Sequence, residues 1–220
     1  MAADVIYLHG FASSPQSTKA SFLGDRLRAS GAAVRCPDFN QPDFATLTMT
    51  RMLGQLEAEL PAPPARATLI GSSLGGTLAV LAAERYGARI DRLVLMAPAV
   101  MFAKPGHHLL PQTRIDEWRQ QGELSFFHYG DNVERPLRYA FYEDSLRYNA
   151  FDANFSHPAL VFQGQRDTSV MPDTVDAFAR TRPNVTLIRL DDDHQLTASL
   201  PVIWKETARF LGLSSESAPS

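Results

Sequence analysis

The chain has 220 residues, 45% of them hydrophobic and 20% charged, with a formal net charge of −3. That composition supports one medium α/β domain with a sizeable core and excludes global disorder. It carries no long basic run and no basic stripe interleaved with aromatics, so nucleic acid is not an expected partner. Cys36 is the single cysteine, which leaves no internal disulfide and no thiolate metal cluster. The start, MAADVIYLHG, lacks a basic n-region and a long apolar stretch, and no run approaches the ~20 apolar residues of a membrane span. The expectation is a cytoplasmic protein without a membrane span, a monomer or a homodimer.

In chain order, DVIYLHG (4–10) reads as a buried strand, and SPQSTKASFLGDRLRAS (14–30) as a helix with Ser14 as N-cap and Pro15 at its first position. AAVRCPDF (32–39) is strand-like. In 45–60, Leu47, Met52, Leu53, Leu56 and Leu60 fall near helical spacing, before the breaker PAPP (61–64). ATLIG (67–71) is a strand, and LGGTLAVLAAERYG (74–87) a helix closed by Gly87. Strands follow at 91–99, 158–164 and 185–190, with helices near 172–181 and 197–212. Six strands alternating with helices predict an α/β fold with a mostly parallel sheet. The expected organisation is one domain over 1–213 and a disordered tail over 214–220.

The segment from about 100 to 155 breaks this rhythm. Between Phe102 and Phe155 it holds more than half of the chain's aromatic residues. A structureless loop of that length is unusual, so the segment is expected to form a mostly helical cap over one end of the sheet. A plain core-packing subdomain is the alternative.

Gly71-Ser72-Ser73-Leu74-Gly75 matches G-x-S-x-G between a strand and a helix, the context of a nucleophile elbow. A sharp strand-to-helix turn presents the central Ser73, while Gly71 and Gly75 lack the Cβ atoms that would collide where helix and strand cross. The helix N-terminus aims backbone N–H groups at any oxyanion formed there. A phosphate-binding loop is the competing reading. Neither G-x-x-x-x-G-K-[ST] nor G-x-G-x-x-G is present, and Thr77 has no lysine before it.

Three further features fit a serine nucleophile. His9-Gly10-Phe11 ends the first strand, where Phe11 N–H together with Leu74 N–H would make an oxyanion hole; Ser13 and Ser14 are weaker candidate donors. Asp167 follows a strand, as an acid that orients a histidine must. His194 follows the next strand, within reach of a serine at the same sheet edge. His9 is expected to be packed and hydrogen-bonded. His107, His108 and His128 fall in the cap, and His157 at the opposite end of the sheet. Asp191, Asp192 and Asp193 read as a solvated turn beside His194. The order Ser73, Asp167, His194 is that of α/β-hydrolases.

On these residues the chain resembles the α/β-hydrolases over nearly its whole length. IYLHGFASSPQSTKA followed by LIGSSLGGTLAVLAAE looks like the small bacterial YqiA-like esterases. The resemblance implies a compact hydrolase that starts at the strand bearing the oxyanion loop. It carries Ser73 as nucleophile, Asp167 as acid, His194 as base and the Phe11 and Leu74 N–H groups as oxyanion donors. It also implies activity on short acyl esters. Two features depart from it: DDDHQL, where relatives tend to have glycine or asparagine before the histidine, and a long aromatic cap. No metal or organic cofactor is required for such chemistry, and the expected partner is a small ester. Thioesters, amides or activated C–C bonds remain alternative substrates, and a non-catalytic binding module remains the alternative class. Haloalkane dehalogenation is excluded, since it needs an aspartate where Ser73 stands.

Overall fold

The computed structural model describes residues 3–104 and 110–213. His107, His108 and the 214–220 tail therefore lie outside the described residues. Strands β1 (Asp4–Leu8) and β2 (Ala33–Arg35) flank helix α1 (Thr18–Ala29). Helix α2 (Met49–Glu59) leads to β3 (Ala67–Ser72), α3 (Leu74–Arg85) and β4 (Ile90–Met96). The inserted segment holds α4 (Gln112–Gln121), β5 (Glu123–His128), β6 (Val133–Arg138) and α5 (Ala140–Ser145). Strand β7 (Ala159–Gly164), helix α6 (Pro172–Arg180), strand β8 (Val185–Leu190) and helix α7 (Leu200–Leu211) complete the order.

Six strands form one sheet in the order β2-β1-β3-β4-β7-β8, and every pairing in it is parallel. Such a sheet is covered on both faces, so its strands are near-continuous apolar runs. The period of two divides each strand between two cores. Tyr7, Ile70 and Phe162 meet Leu23 and Leu27 of α1 and Ile203 and Trp204 of α7. Ile6, Leu69 and Val161 face the other way, toward Leu56 of α2, Leu78 of α3 and Phe178 of α6. The crossover helices thus bury both faces and leave the carboxyl edge of the sheet free for a site.

Several local expectations are corrected. Helix α1 is capped by Ser17, whose Oγ accepts Ala20 N–H at 3.4 Å. Ser14 instead sits in a turn, its carbonyl taking Ser17 N–H at 3.1 Å. Two tethers from outside hold that stretch open: Tyr129 N–H donates to the Ala12 carbonyl at 2.7 Å, and Asn40 Nδ2 to the Ser13 carbonyl at 2.7 Å. Helix α3 ends at Arg85, and Gly87 opens a short 3-10 turn rather than closing the helix. Its missing side chain leaves room for the His157 ring, 3.0 Å from where a Cβ would stand. The second strand is three residues long.

The cap is not mostly helical. An antiparallel β5–β6 hairpin stands between α4 and α5. Leu124, Phe126 and His128 alternate inward along β5, and Asn132 takes the left-handed conformation (φ 57°) in the turn. Trp118 Nε1 donates to the Leu137 carbonyl at 2.8 Å, tying α4 to the hairpin.

Candidate active site

The β3–α3 turn is tightly constrained backbone. Ser73 has φ 52° and ψ −115°, a conformation costing a non-glycine residue about 1–3 kcal/mol. Its surroundings hold it there. Ser73 N–H donates to the Met96 carbonyl at 2.9 Å, and the Ser73 carbonyl accepts from Gly76, Thr77 and Ala99. A Cβ on Gly71 would sit inside contact distance of the Gly75 carbonyl, and one on Gly75 would overlap the Leu8 carbonyl. Both glycines are therefore required by close approach rather than by backbone angle.

His194 joins the other two residues. Its Nε2 lies 3.1 Å from Ser73 Oγ and its Nδ1 lies 2.8 Å from Asp167 Oδ2. A carboxylate facing Nδ1 keeps the proton on that nitrogen, so Nε2 is free to accept the serine hydroxyl. The Asp167 side chain is fully buried while that of His194 is 20% exposed, so the triplet runs from the interior to the surface. Burial pushes the Asp167 carboxyl up. Hydrogen bonds from His194 and from the Val170 and Ser169 N–H groups outweigh it, and the net pKa lies below the ordinary carboxylate value.

Two residues around the triplet escaped sequence reasoning. Gln163, buried in β7, donates from Nε2 to Asp167 Oδ2 at 3.1 Å and to the Val170 carbonyl at 3.0 Å. It pins the carboxylate and its loop together. The signal was one polar residue inside the apolar run ALVFQG. Asp192 is the other, and it corrects the reading of 191–193 as a solvated turn. It is 4% exposed, and its carboxylate accepts Asp193 N–H at 2.8 Å and Ser199 N–H at 2.9 Å. It therefore braces the turn carrying His194 on both sides. Its neighbours Asp191 and Asp193 are exposed, as expected.

The β1 loop is equally fixed. His9 is buried; Nδ1 donates to the Gly10 carbonyl at 2.9 Å and Nε2 accepts Phe39 N–H at 3.1 Å. It is a packed, hydrogen-bonded residue, as its sequence position suggested. The Phe11 ring lies between Phe44, Phe126 and Phe141, with centroids 5.5–5.7 Å away. Among the described residues, neither Phe11 N–H nor Leu74 N–H donates to a backbone carbonyl. Ser73, His194, Gly10 and Phe11 open onto a cleft of about 810 Å³, walled on the cap side by Phe126, Phe127 and Tyr129. His157 binds the Gly87 carbonyl at the far end of the sheet. Burial raises the Cys36 thiol to about 12, which leaves it without thiolate character at neutral pH. Among the described residues, no group of three or more His, Cys, Asp or Glu could hold a metal ion, and no helix is long and apolar enough to cross a membrane.

The parallel sheet with its serine elbow at β3–α3, an acid after β7 and a histidine after β8 is an α/β-hydrolase fold. Residues 4–210 match the model of the uncharacterised protein family UPF0227, and the chain belongs to that family. Among solved structures it is similar to Est1E from Butyrivibrio proteoclasticus with ferulic acid bound (TM-score 0.80, 21% identity, 95% of this chain and 88% of that one). It is also similar to mouse alpha/beta hydrolase domain-containing protein 10 (TM-score 0.79, 20% identity, 95% and 89%). A curated relative, the biotin biosynthesis bifunctional protein BioHC of Teredinibacter turnerae, is 34% identical over 106 residues. That match spans 46% of this chain but only 18% of the relative's length.

Proposed function

We propose that this chain is a serine hydrolase cleaving small carboxylic esters, with Ser73 as nucleophile, His194 as general base and acid, and Asp167 as the residue orienting it. The observation that carries the reading is the continuous hydrogen-bonded line from Asp167 through His194 to Ser73 Oγ, ending on a strained serine at a cleft. In the first step Ser73 Oγ bonds to the acyl carbon while His194 Nε2 takes its proton. The tetrahedral oxyanion is held by the N–H groups of Phe11 and Leu74, each donor worth about 10²–10³ in turnover. The C–O bond to the alcohol then breaks, and His194 returns the proton to the leaving oxygen. A water molecule, deprotonated by His194, attacks the acyl-enzyme and releases the acid. Asp167 stays ionised and stabilises the imidazolium throughout. Aromatic side chains on the cap wall favour apolar or small aromatic acyl or alcohol groups.

The test is hydrolysis of p-nitrophenyl acetate and butyrate by the wild-type protein and by Ser73→Ala, with fluorophosphonate labelling mapped by mass spectrometry. Turnover by the wild type, loss in the variant and a label on Ser73 are the expected results. No label and no turnover by either protein would overturn the reading in favour of a binding module. A label on Ser73 without ester turnover would keep the serine hydrolase and move the substrate to thioesters or amides.

A further inference from the structure

The cleft wall is chemically lopsided. Phe126, Phe127 and Tyr129 line the cap side, and hydroxyl and amide side chains line much of the opposite side. Among the described residues, Lys19 is the only lysine or arginine in that wall, and no aspartate or glutamate shares the wall with it. Lys19 stands in the first turn of α1, at a helix end whose dipole also favours an anion. Its half-buried ammonium donates to the Gln195 carbonyl at 2.9 Å, and no carboxylate among the described residues stands within ion-pair distance. An ammonium has three donors, so one carbonyl leaves most of its hydrogen-bonding capacity for a ligand. A cation taken partly out of water without an ionic partner is costly. Burial lowers its pKa to about 8, while the more distant Asp193, Asp167 and Asp192 act to raise it. At neutral pH it still carries its charge.

We infer that the cleft selects esters bearing an anionic group, a carboxylate in the simplest case, and that Lys19 is the residue that recognises it. The inference rests on the hydrolase reading and narrows it. The substrate is amphiphilic: its apolar part lies against Phe126 and Phe127, and its anion sits at Lys19. The rival role for Lys19 is a brace, since Gln195 follows His194 and the bond to its carbonyl steadies that turn. A brace would serve all substrates alike, whereas a recognition group discriminates between them.

The test compares kcat/KM for mono-4-nitrophenyl adipate with that for its neutral methyl ester, in the wild type, Lys19→Gln and Lys19→Arg. Lys19→Gln keeps a donor for the Gln195 carbonyl, and Lys19→Met serves as a second variant should it fold poorly. The wild type is expected to prefer the anionic ester on the order of tenfold, the worth of one charge-assisted hydrogen bond. Lys19→Gln loses that preference and Lys19→Arg retains it. The wild-type preference falls as pH rises through about 8. Equal, measurable rates on the two esters, or equal slowing of both in Lys19→Gln, would overturn the inference. Calorimetric titration with 6-phenylhexanoate and 6-phenylhexanol reads the same preference without turnover. Tighter binding of the carboxylate by the wild type but not by Lys19→Gln upholds Lys19 recognition even if neither ester is cleaved, and then only the ester-cleaving reading fails. Equal affinity for the two ligands defeats the inference whatever the turnover.

Discussion

The sheet body and the inserted cap solve different problems with different residues. At the carboxyl edge of the sheet the chain uses small residues and fixed backbone: Gly71 and Gly75 sit where an added Cβ collides with backbone, and Ser73 is held at a positive φ. The cap uses large rings. Trp118 stands 5.0 Å from Phe126 and 5.9 Å from Tyr139, and Phe102 stands 5.6 Å from Phe141. Its outer rim leaves Phe127 42% and Tyr129 70% exposed. Backbone geometry tolerates almost no substitution, whereas a shell of aromatic pairs can repack. Under the proposed function the body would hold the chemistry and the cap would choose what reaches it. Phe11 belongs to both, since it lines the cleft with Ser73 while its ring is clamped by Phe126 and Phe141 of the cap.

Substitutions can break that contrast, and the largest effects belong to the body. Ser73→Ala is expected to lower kcat by about 10⁴-fold or more with the fold intact, read by ester hydrolysis and circular dichroism. Asp167→Asn should cost about 10³–10⁴-fold in kcat by disturbing the His194 tautomer. The same substitution should remove a pH dependence. The Asp167 pKa is lower in the folded state than in the unfolded chain. Its stabilisation is complete above the ordinary carboxylate value of about 4, and is lost as pH falls through the folded value. Acid unfolding followed by fluorescence should shift accordingly in the variant. Gly75→Ala should destabilise by about 3 kcal/mol, since the Leu8 backbone cannot yield, and a thermal melt reads this directly.

Intermediate effects belong to the junction. Phe11→Ala is expected to lower stability by roughly 2 kcal/mol through lost ring contacts and to slow turnover about tenfold by loosening the loop. The smallest effects belong to the rim. Tyr129→Ser should change stability by less than about 0.5 kcal/mol while raising KM for aromatic esters relative to acetate. A Tyr129→Ser variant as damaging as Gly75→Ala would show that the cap is structural rather than selective.

Much of the body was legible because its signals are local. Alternation of apolar runs with helical segments predicts a parallel sheet, and six strands form it. The elbow was legible for the same reason: glycines flanking a serine between strand and helix mean a tight turn whatever lies around it. The hairpin was missed although Leu124, Phe126 and His128 alternate ahead of a Gly130-Asp131-Asn132 turn, a hairpin signal in its own right. The aromatic count overshadowed that alternation. Ser14 looked like a helix start because Ser-Pro is a strong local cue, but hydrogen bonds from Tyr129 and Asn40 hold that stretch as loop.

The sequence alone determined the class of fold and the sheet edge where Ser73, Asp167 and His194 would gather, since each follows a strand-like run and the carboxyl ends of parallel strands share one edge. Only the tertiary structure decided that His194 Nε2 stands 3.1 Å from a serine 121 positions earlier. It also decided that Gln163 and Asp192 brace the acid and the histidine, and that Lys19 enters the cleft bonded to a carbonyl, with no carboxylate among the described residues within ion-pair distance. The reason is physical. Propensity and periodicity act over a few residues, whereas burial and the pairing of polar groups depend on which distant segments share a volume, and those contacts exist only once the sheet has closed the distance.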